Sequence, residues 1–130
     1  MEKDILYKDI TGKIIGAAME VHKVLGPGFL EGVYEEAFCI ELDRLGLKYK
    51  RQEELKIPYK EYILKQRYRA DLIVEDKVIV DNKATKAIVE IDRAQVFNYL
   101  KATRLKVGLI INFGELSLKW KRIICEKYFR

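Results

Sequence analysis

The sequence predicts an α/β domain with the element order helix, helix, three strands, helix, strand, strand, and three observations carry that expectation. Apolar residues recur at helical spacing up to Leu45, a two-residue period sets in after Gly46, and helical spacing returns from Val89 to Ala102 before two last strand-like runs. No linker, repeat or low-complexity stretch divides the chain, so residues 1–130 read as one domain, long enough to bury a core.

The first helix is expected from about Asp4 to Leu25, with Ile10, Ile14, Ala17, Ala18, Val21 and Leu25 on one stripe. Gly26-Pro27-Gly28 then stops it and turns the chain. A second helix, Phe29 to Leu45, ends at Gly46, a natural left-handed cap. On it Glu31, Tyr34, Glu35, Phe38, Leu42 and Leu45 share a stripe, while Val33, Ala37 and Ile40 lie on the other side. Two carboxylates one turn apart therefore head an apolar stripe. Acids favour helix N-termini through the macrodipole, which accounts for both; alternatively one of them reaches a site below the helix.

Lys48 to Tyr59 reads as a strand that turns near Lys60-Glu61, and Tyr62 to Glu75 returns beside it. Lys77 to Ala84 completes a three-stranded meander. Its last hairpin joins the β-branched runs Ala70–Val74 and Val78–Val80 through Glu75-Asp76-Lys77. The third helix, Val89 to Ala102, places Ile91, Gln95, Tyr99 and Ala102 on one face, where the Gln95 amide would need polar partners. Leu105 to Phe113 is nearly all apolar, as in a strand covered on both sides, and Leu118 to Phe129 forms a final basic strand.

With 49% hydrophobic and 35% charged residues the chain is neither a disordered segment nor a membrane span, and no signal-peptide pattern opens it, so a cytoplasmic location without membrane partners is expected. Cys39 and Cys125 belong to no Cys/His cluster and read as reduced core residues, which argues against zinc. The net charge of +5 is uneven. Residues 101–130 carry +6, and a second basic stretch runs from Lys48 to Arg69. Such gathering suits a polyanion, although a solvated face of a basic protein gives the same count.

The chemistry concentrates in Tyr68 to Ala84. Strand alternation puts Arg69, Asp71 and Ile73 on one face, and Ile79, Asp81 and Lys83 on one face of the next strand. If these faces coincide, two carboxylates and an ammonium meet at one sheet end. Burying carboxylates without a partner is costly, and a hard cation with oxygen ligands is one thing that uses them. Lys83 beside such an ion holds an attacking water or stabilises charge on a phosphate, and Arg69 offers a bidentate phosphate contact. His22 lies on the flank of the first stripe, where a packed helix residue competes with a substrate contact.

Asp71 followed by Asp81-Asn82-Lys83 resembles the D…(D/E)xK pattern of the PD-(D/E)xK nuclease superfamily. Within it the chain is similar to the GxxExxY family, on Gly28-Phe-Leu-Glu31-Gly-Val-Tyr34, Tyr68-Arg-Ala-Asp71, Val78-Ile-Val-Asp81-Asn-Lys83, Gln95 with Asn98-Tyr-Leu-Lys-Ala102, and Lys106 to Phe113. The resemblance implies a restriction-endonuclease-like core, a central mixed β-sheet flanked by helices. It implies Asp71 and Asp81 as ligands of Mg2+ (or Mn2+), Lys83 beside the attacking water, Glu31 or Glu35 completing the acidic cluster with Glu35 as the expected third ligand, and Gln95 supporting water or substrate. Asn82 departs from it, standing where the family shows an apolar side chain.

The reading that follows is a metal-dependent endo- or exonuclease acting on DNA, with Lys101, Arg104, Lys106, Lys119, Lys121 and Arg122 holding the backbone. The alternative is a catalytically inactive domain of the same fold that binds nucleic acid or a protein partner. A third is a structural module built on the apolar first helix. A domain this small covers little duplex, which leaves room for a homodimer.

Overall fold

The computed structural model describes residues 7–125. It contains α1 (Lys8–Leu25), α2 (Glu31–Arg44), β1 (Tyr49–Tyr59), β2 (Tyr62–Val74), β3 (Val78–Lys83), α3 (Glu90–Thr103), β4 (Val107–Asn112) and β5 (Lys119–Ile124). The order is the expected one, with internal boundaries shifted by one or two residues. The expected helical residues 4–6 and strand residues 126–129 lie outside the described residues.

The strands form one sheet in the order β1-β2-β3-β4-β5, in which β3 and β4 are parallel and every other neighbouring pair is antiparallel. The parallel pair requires a crossover, which α3 supplies. The sheet is covered on both sides. Ile14, Ala17, Ala18 and Val21 of α1, with Tyr34, Phe38 and Leu42 of α2, pack on Leu72, Val74, Val78, Val80, Leu109 and Ile111. Val96, Tyr99 and Leu100 of α3 pack on Ile73, Ile79, Ile110 and Ile123 from the other side. Strand β4 is buried throughout because both of its faces are covered. Gly108 there admits α3, since a Cβ would lie 2.6 Å from Cγ1 of Val96. Both cysteines are buried and free. Among the described residues no helix is long and apolar enough to cross a membrane.

Three features position the site. Tyr34 of α2 is fully buried, stacked on Phe113 at 4.7 Å, and its hydroxyl donates to the carbonyl of Gly26 (2.6 Å) and accepts from the N–H of Phe29 (3.1 Å). That pair of bonds fixes the turn that delivers the first turn of α2 to the sheet. Asn112, buried at the end of β4, is saturated: its Oδ1 accepts from the N–H groups of Thr85 and Gly114, and its Nδ2 donates to the carbonyl of Thr85 and to Glu115. It thereby ties the β3–α3 connection to the β4–β5 loop. His22 Nε2 lies 2.9 Å from the carbonyl oxygen of Glu115, so the ring clamps α1 to the same loop.

The third feature is a change of face. In the outer part of the β1–β2 hairpin, Leu55 and Ala70 join the α3-side core, with Tyr68 packed against it, whereas Leu72 and Val74 belong to the α1/α2-side core. The switch falls at Gln52, which has φ +51°, and at Asp71, between the paired positions Arg51–Leu72 and Glu53–Ala70. This corrects the expected face of Arg69, Asp71 and Ile73. Ile73 faces α3, while Arg69, between Tyr68 and Ala70, faces the opposite way and lies 3.8 Å from Glu54. A second correction concerns α3. Its buried stripe is Val96, Tyr99 and Leu100, and Gln95 and Ile91 are exposed, because the close approach at Gly108 rotates the helix away from the expected face.

Candidate functional site

Strands β2 and β3 pair only from Val74–Val78 to Leu72–Val80, whereas β3 continues beside β4 to Lys83. The two strands part at Asp71. Parting exposes the β2-facing backbone of β3, and Asp71 answers it: Oδ2 accepts the N–H of Asn82 at 2.8 Å. A half-buried carboxylate at a fork of two strands is thus held by the backbone, with Oδ1 receiving only a 3.3 Å bond from Gln52.

Asp81 is buried, and its Oδ2 has no hydrogen-bond partner. Lys83 Nζ lies 3.3 Å from that oxygen as an ion pair whose angles fall outside those of a hydrogen bond. Burial pushes the Asp81 carboxyl up to about 7; Lys83 opposes the rise and the charge of Asp71 adds to it. For Lys83, burial works against the charge, but Asp81, then Asp92 and Glu31, more than offset it and raise its pKa. Asp92 Oδ1 is 3.8 Å from Nζ. Asp92 sits in the first turn of α3, where Oδ2 accepts the N–H of Val89 (2.9 Å), so a helix-start carboxylate is aimed at the lysine.

Helix α2 brings both glutamates. Glu31, in the exposed first turn, has its carboxyl raised by partial burial and by Asp71, with Lys83 and a bond to the backbone of Ala84 opposing. Glu35 is buried and fully engaged: Arg51 donates to Oε2 from Nε (3.2 Å) and Nη2 (3.1 Å), and Gln52 Nε2 donates to Oε1 (2.8 Å). The same Gln52 amide reaches Asp71, so Glu35, Gln52 and Asp71 form a chain. The left-handed conformation of Gln52 is what lets one amide bridge a helix and a strand.

Asp71, Asp81, Lys83 and Glu31 are therefore brought together, and Glu35 stands behind Asp71. Gln95 is exposed one turn beyond Asp92. The expected basic surface is dispersed. Arg122 donates to Thr11 Oγ1 (3.1 Å) under α1, Lys121 alternates with it beside Ile123, and Lys119 lies near the β4–β5 loop. Lys106 precedes β4 at the sheet end away from Lys83. Lys101 and Arg104 line a cleft of about 400 Å³ with Ile57, Pro58 and Tyr68.

Arg51, Gln52, Asp92 and Tyr99 were not expected at the site. Tyr99 has its hydroxyl pushed up to about 12, first by burial and then by Asp81 and Asp71. Asp92 carries a legible signal, an acid three residues after a helix start; Gln52 carries none.

Among the described residues, no three His, Cys, Asp or Glu side chains converge as a preformed cation cage. The donor set nevertheless suits Mg2+, which takes one or two carboxylates and keeps several waters. Asp81 Oδ2 is buried without a hydrogen bond, and Asp71 Oδ1 has only a long one.

No curated protein and no solved structure matches the chain. A family model described as the PD-(D/E)XK nuclease superfamily matches residues 8–123, which spans every described helix and strand except the last residue of β5. With three helices around a five-stranded mixed sheet among its described residues, and with its acidic strand fork, the chain belongs to the PD-(D/E)XK nuclease superfamily.

Proposed function

We propose that this domain hydrolyses phosphodiester bonds of DNA with Mg2+ or Mn2+ held between Asp71 and Asp81, and that it is a GxxExxY-type member of its superfamily. The observation that carries this reading is the buried, hydrogen-bond-free Oδ2 of Asp81, 3.3 Å from Lys83 and beside the strand fork of Asp71. A carboxylate in that state is poised for a cation or a proton. A bound cation supplies Lewis-acid stabilisation of the charge that grows on the phosphate.

The protein groups divide the remaining work. Lys83, kept charged by Asp81 and Asp92, donates to the attacking water and to a phosphate oxygen. Glu31, with its raised pKa, accepts the proton of that water. Glu35 acts through Gln52 to fix Asp71. Gln95 and Arg69, both exposed, contact the substrate backbone. The test is nicking and cleavage of single-stranded, duplex and branched DNA with Mg2+ or Mn2+. Activity that disappears in Asp71→Ala and Lys83→Ala supports the proposal. Activity that survives both overturns it.

A second reading, a non-catalytic descendant that binds nucleic acid, draws on Asn82. Its amide is buried with neither Oδ1 nor Nδ2 bonded, at the centre of the motif. Wild-type protein that binds DNA with steep salt dependence and never cuts it favours this reading.

A further inference from the structure

We infer that the β1–β2 hairpin beyond Gln52 and Asp71 is a duplex-binding arm, which lays its outward face along the backbone of double-stranded DNA and its aromatic tip against the bases. The choice of DNA rests on the hydrolase reading above; the arm itself rests on three observations.

The first is geometric. Only Leu72 to Val74 of β2 pair with β3, so the hairpin from Gln52 to Tyr59 and back from Tyr62 to Asp71 leaves the sheet as a two-stranded ribbon. One face of it, Leu55 and Tyr68, packs on α3, with Tyr68 and Tyr99 rings 4.9 Å apart. The helix props the ribbon at a fixed angle. Its other face is bare: Glu54, Lys56, Arg67 and Arg69 are all exposed. Seven residues of extended chain reach about 23 Å, or about seven base pairs at ~3.4 Å each. A two-stranded ribbon fits the major groove.

The second is electrostatic. Lys56 and Arg67 stand directly opposite each other in the ladder. Like charges in facing positions are unfavourable, and no ion pair relieves either of them among the described residues. Arg67 donates instead to the carbonyls of Leu64 and Gln66 in its own strand, and its side chain is exposed. With Lys65 beyond and Arg69, 3.8 Å from Glu54, on the same face, the row is cationic on balance, suits phosphates and leads to Asp71 at the root.

The third is the tip. Tyr59 and Tyr62 face each other across the turn, 55% and 63% exposed, with Ile63 and Leu64 also exposed. Apolar and aromatic side chains at the end of a cationic ribbon stack on bases or wedge between base steps.

The experiment measures fluorescence anisotropy of a labelled DNA duplex in EDTA across a salt series, alongside cleavage in Mg2+, for wild type, Lys56→Ala/Arg67→Ala and Tyr59→Ala/Tyr62→Ala. All the substituted side chains are exposed, and unchanged thermal melting confirms folding. The cationic double variant is expected to weaken binding about tenfold or more and to reduce the slope of log K against log salt by about 1.8. The tip variant is expected to weaken binding about tenfold with the slope unchanged. Wild-type affinity and slope in both variants overturn the arm even if cleavage proceeds. So does absence of duplex binding by wild type, or a tip effect confined to self-association. Arm-dependent binding without any cleavage leaves the arm standing and removes hydrolysis instead.

Discussion

The carboxylate of Asp71 accepts the backbone N–H of Asn82 at 2.8 Å, across the gap where β2 leaves β3. The bond makes Asp71 structural and chemical at once: it satisfies a strand that has lost its neighbour and holds one oxygen toward Asp81. Substitutions there should separate the two roles.

Asp71→Asn keeps an acceptor for Asn82 and should change stability by less than about 1 kcal/mol, whereas Asp71→Ala leaves that N–H unpaired and should cost about 1–3 kcal/mol. Both should abolish cleavage. Urea unfolding beside a nicking assay checks this, and equal stabilities for the two variants contradict it.

The raised pKa of Asp81 makes a statement about pH. The unfolded carboxyl titrates near 3.8 and the folded one near about 7. Between those values the folded state binds more protons, so this group's contribution to stability falls as pH rises through the window. Above pH 7 the penalty of the buried charge is complete. Asp81→Asn removes it and should be more stable than wild type at pH 8 by up to about 4 kcal/mol at ~1.36 kcal/mol per pKa unit, the rise to about 7 being already net of the Lys83 attraction. The advantage should shrink to nothing toward pH 4, as denaturant unfolding at both values would reveal. Mg2+ should raise the wild-type melting temperature at pH 8 and leave Asp81→Asn unmoved.

Much of this was legible in the sequence. The α2 stripe, with Glu35 buried among Tyr34, Phe38 and Leu42, followed from helical spacing alone, and the Asp71 and Asp81-Lys83 hairpin followed from strand period and turn chemistry. The exchange of faces at Gln52 and Asp71 was not. A glutamine at φ +51° has no compositional mark of the kind glycine gives. The buried face of α3 was misplaced because Ile91, Val96, Phe97, Tyr99 and Leu100 ring more than one side of the helix. A packing partner, Gly108 of β4, decides among them. The basic residues near the C-terminus are close in sequence yet divided by strand alternation.

Asn82 offers a stability test. Its amide is buried with no hydrogen bond on either atom, and such groups are penalised by about 1–3 kcal/mol. Asn82→Leu, which keeps the branched outline without the polar atoms, should raise stability by up to about that much, less whatever its larger methyl groups cost in packing, while leaving the backbone bond to Asp71 intact. A drop in both Asn82→Leu and the smaller Asn82→Val would mean that the amide has a partner, such as a buried water.

Tyr34→Phe deletes the hydroxyl that joins Gly26 and Phe29 while keeping the ring stacked on Phe113. The loss should be about 1–3 kcal/mol. Looser placement of Glu31 should also lower the cleavage rate more than it weakens DNA binding. A purely structural tyrosine would shift stability alone.

The oxygens of Asp71 and Asp81 either share a cation or they do not, and calorimetric titration of Mg2+ and Mn2+ at pH 8 decides the matter. Wild type should bind with saturable heat, and Asp71→Asn, still folded, should bind at least about tenfold more weakly. Identical isotherms for the two proteins, or no heat from wild type with either ion, would contradict a metal centre at the strand fork.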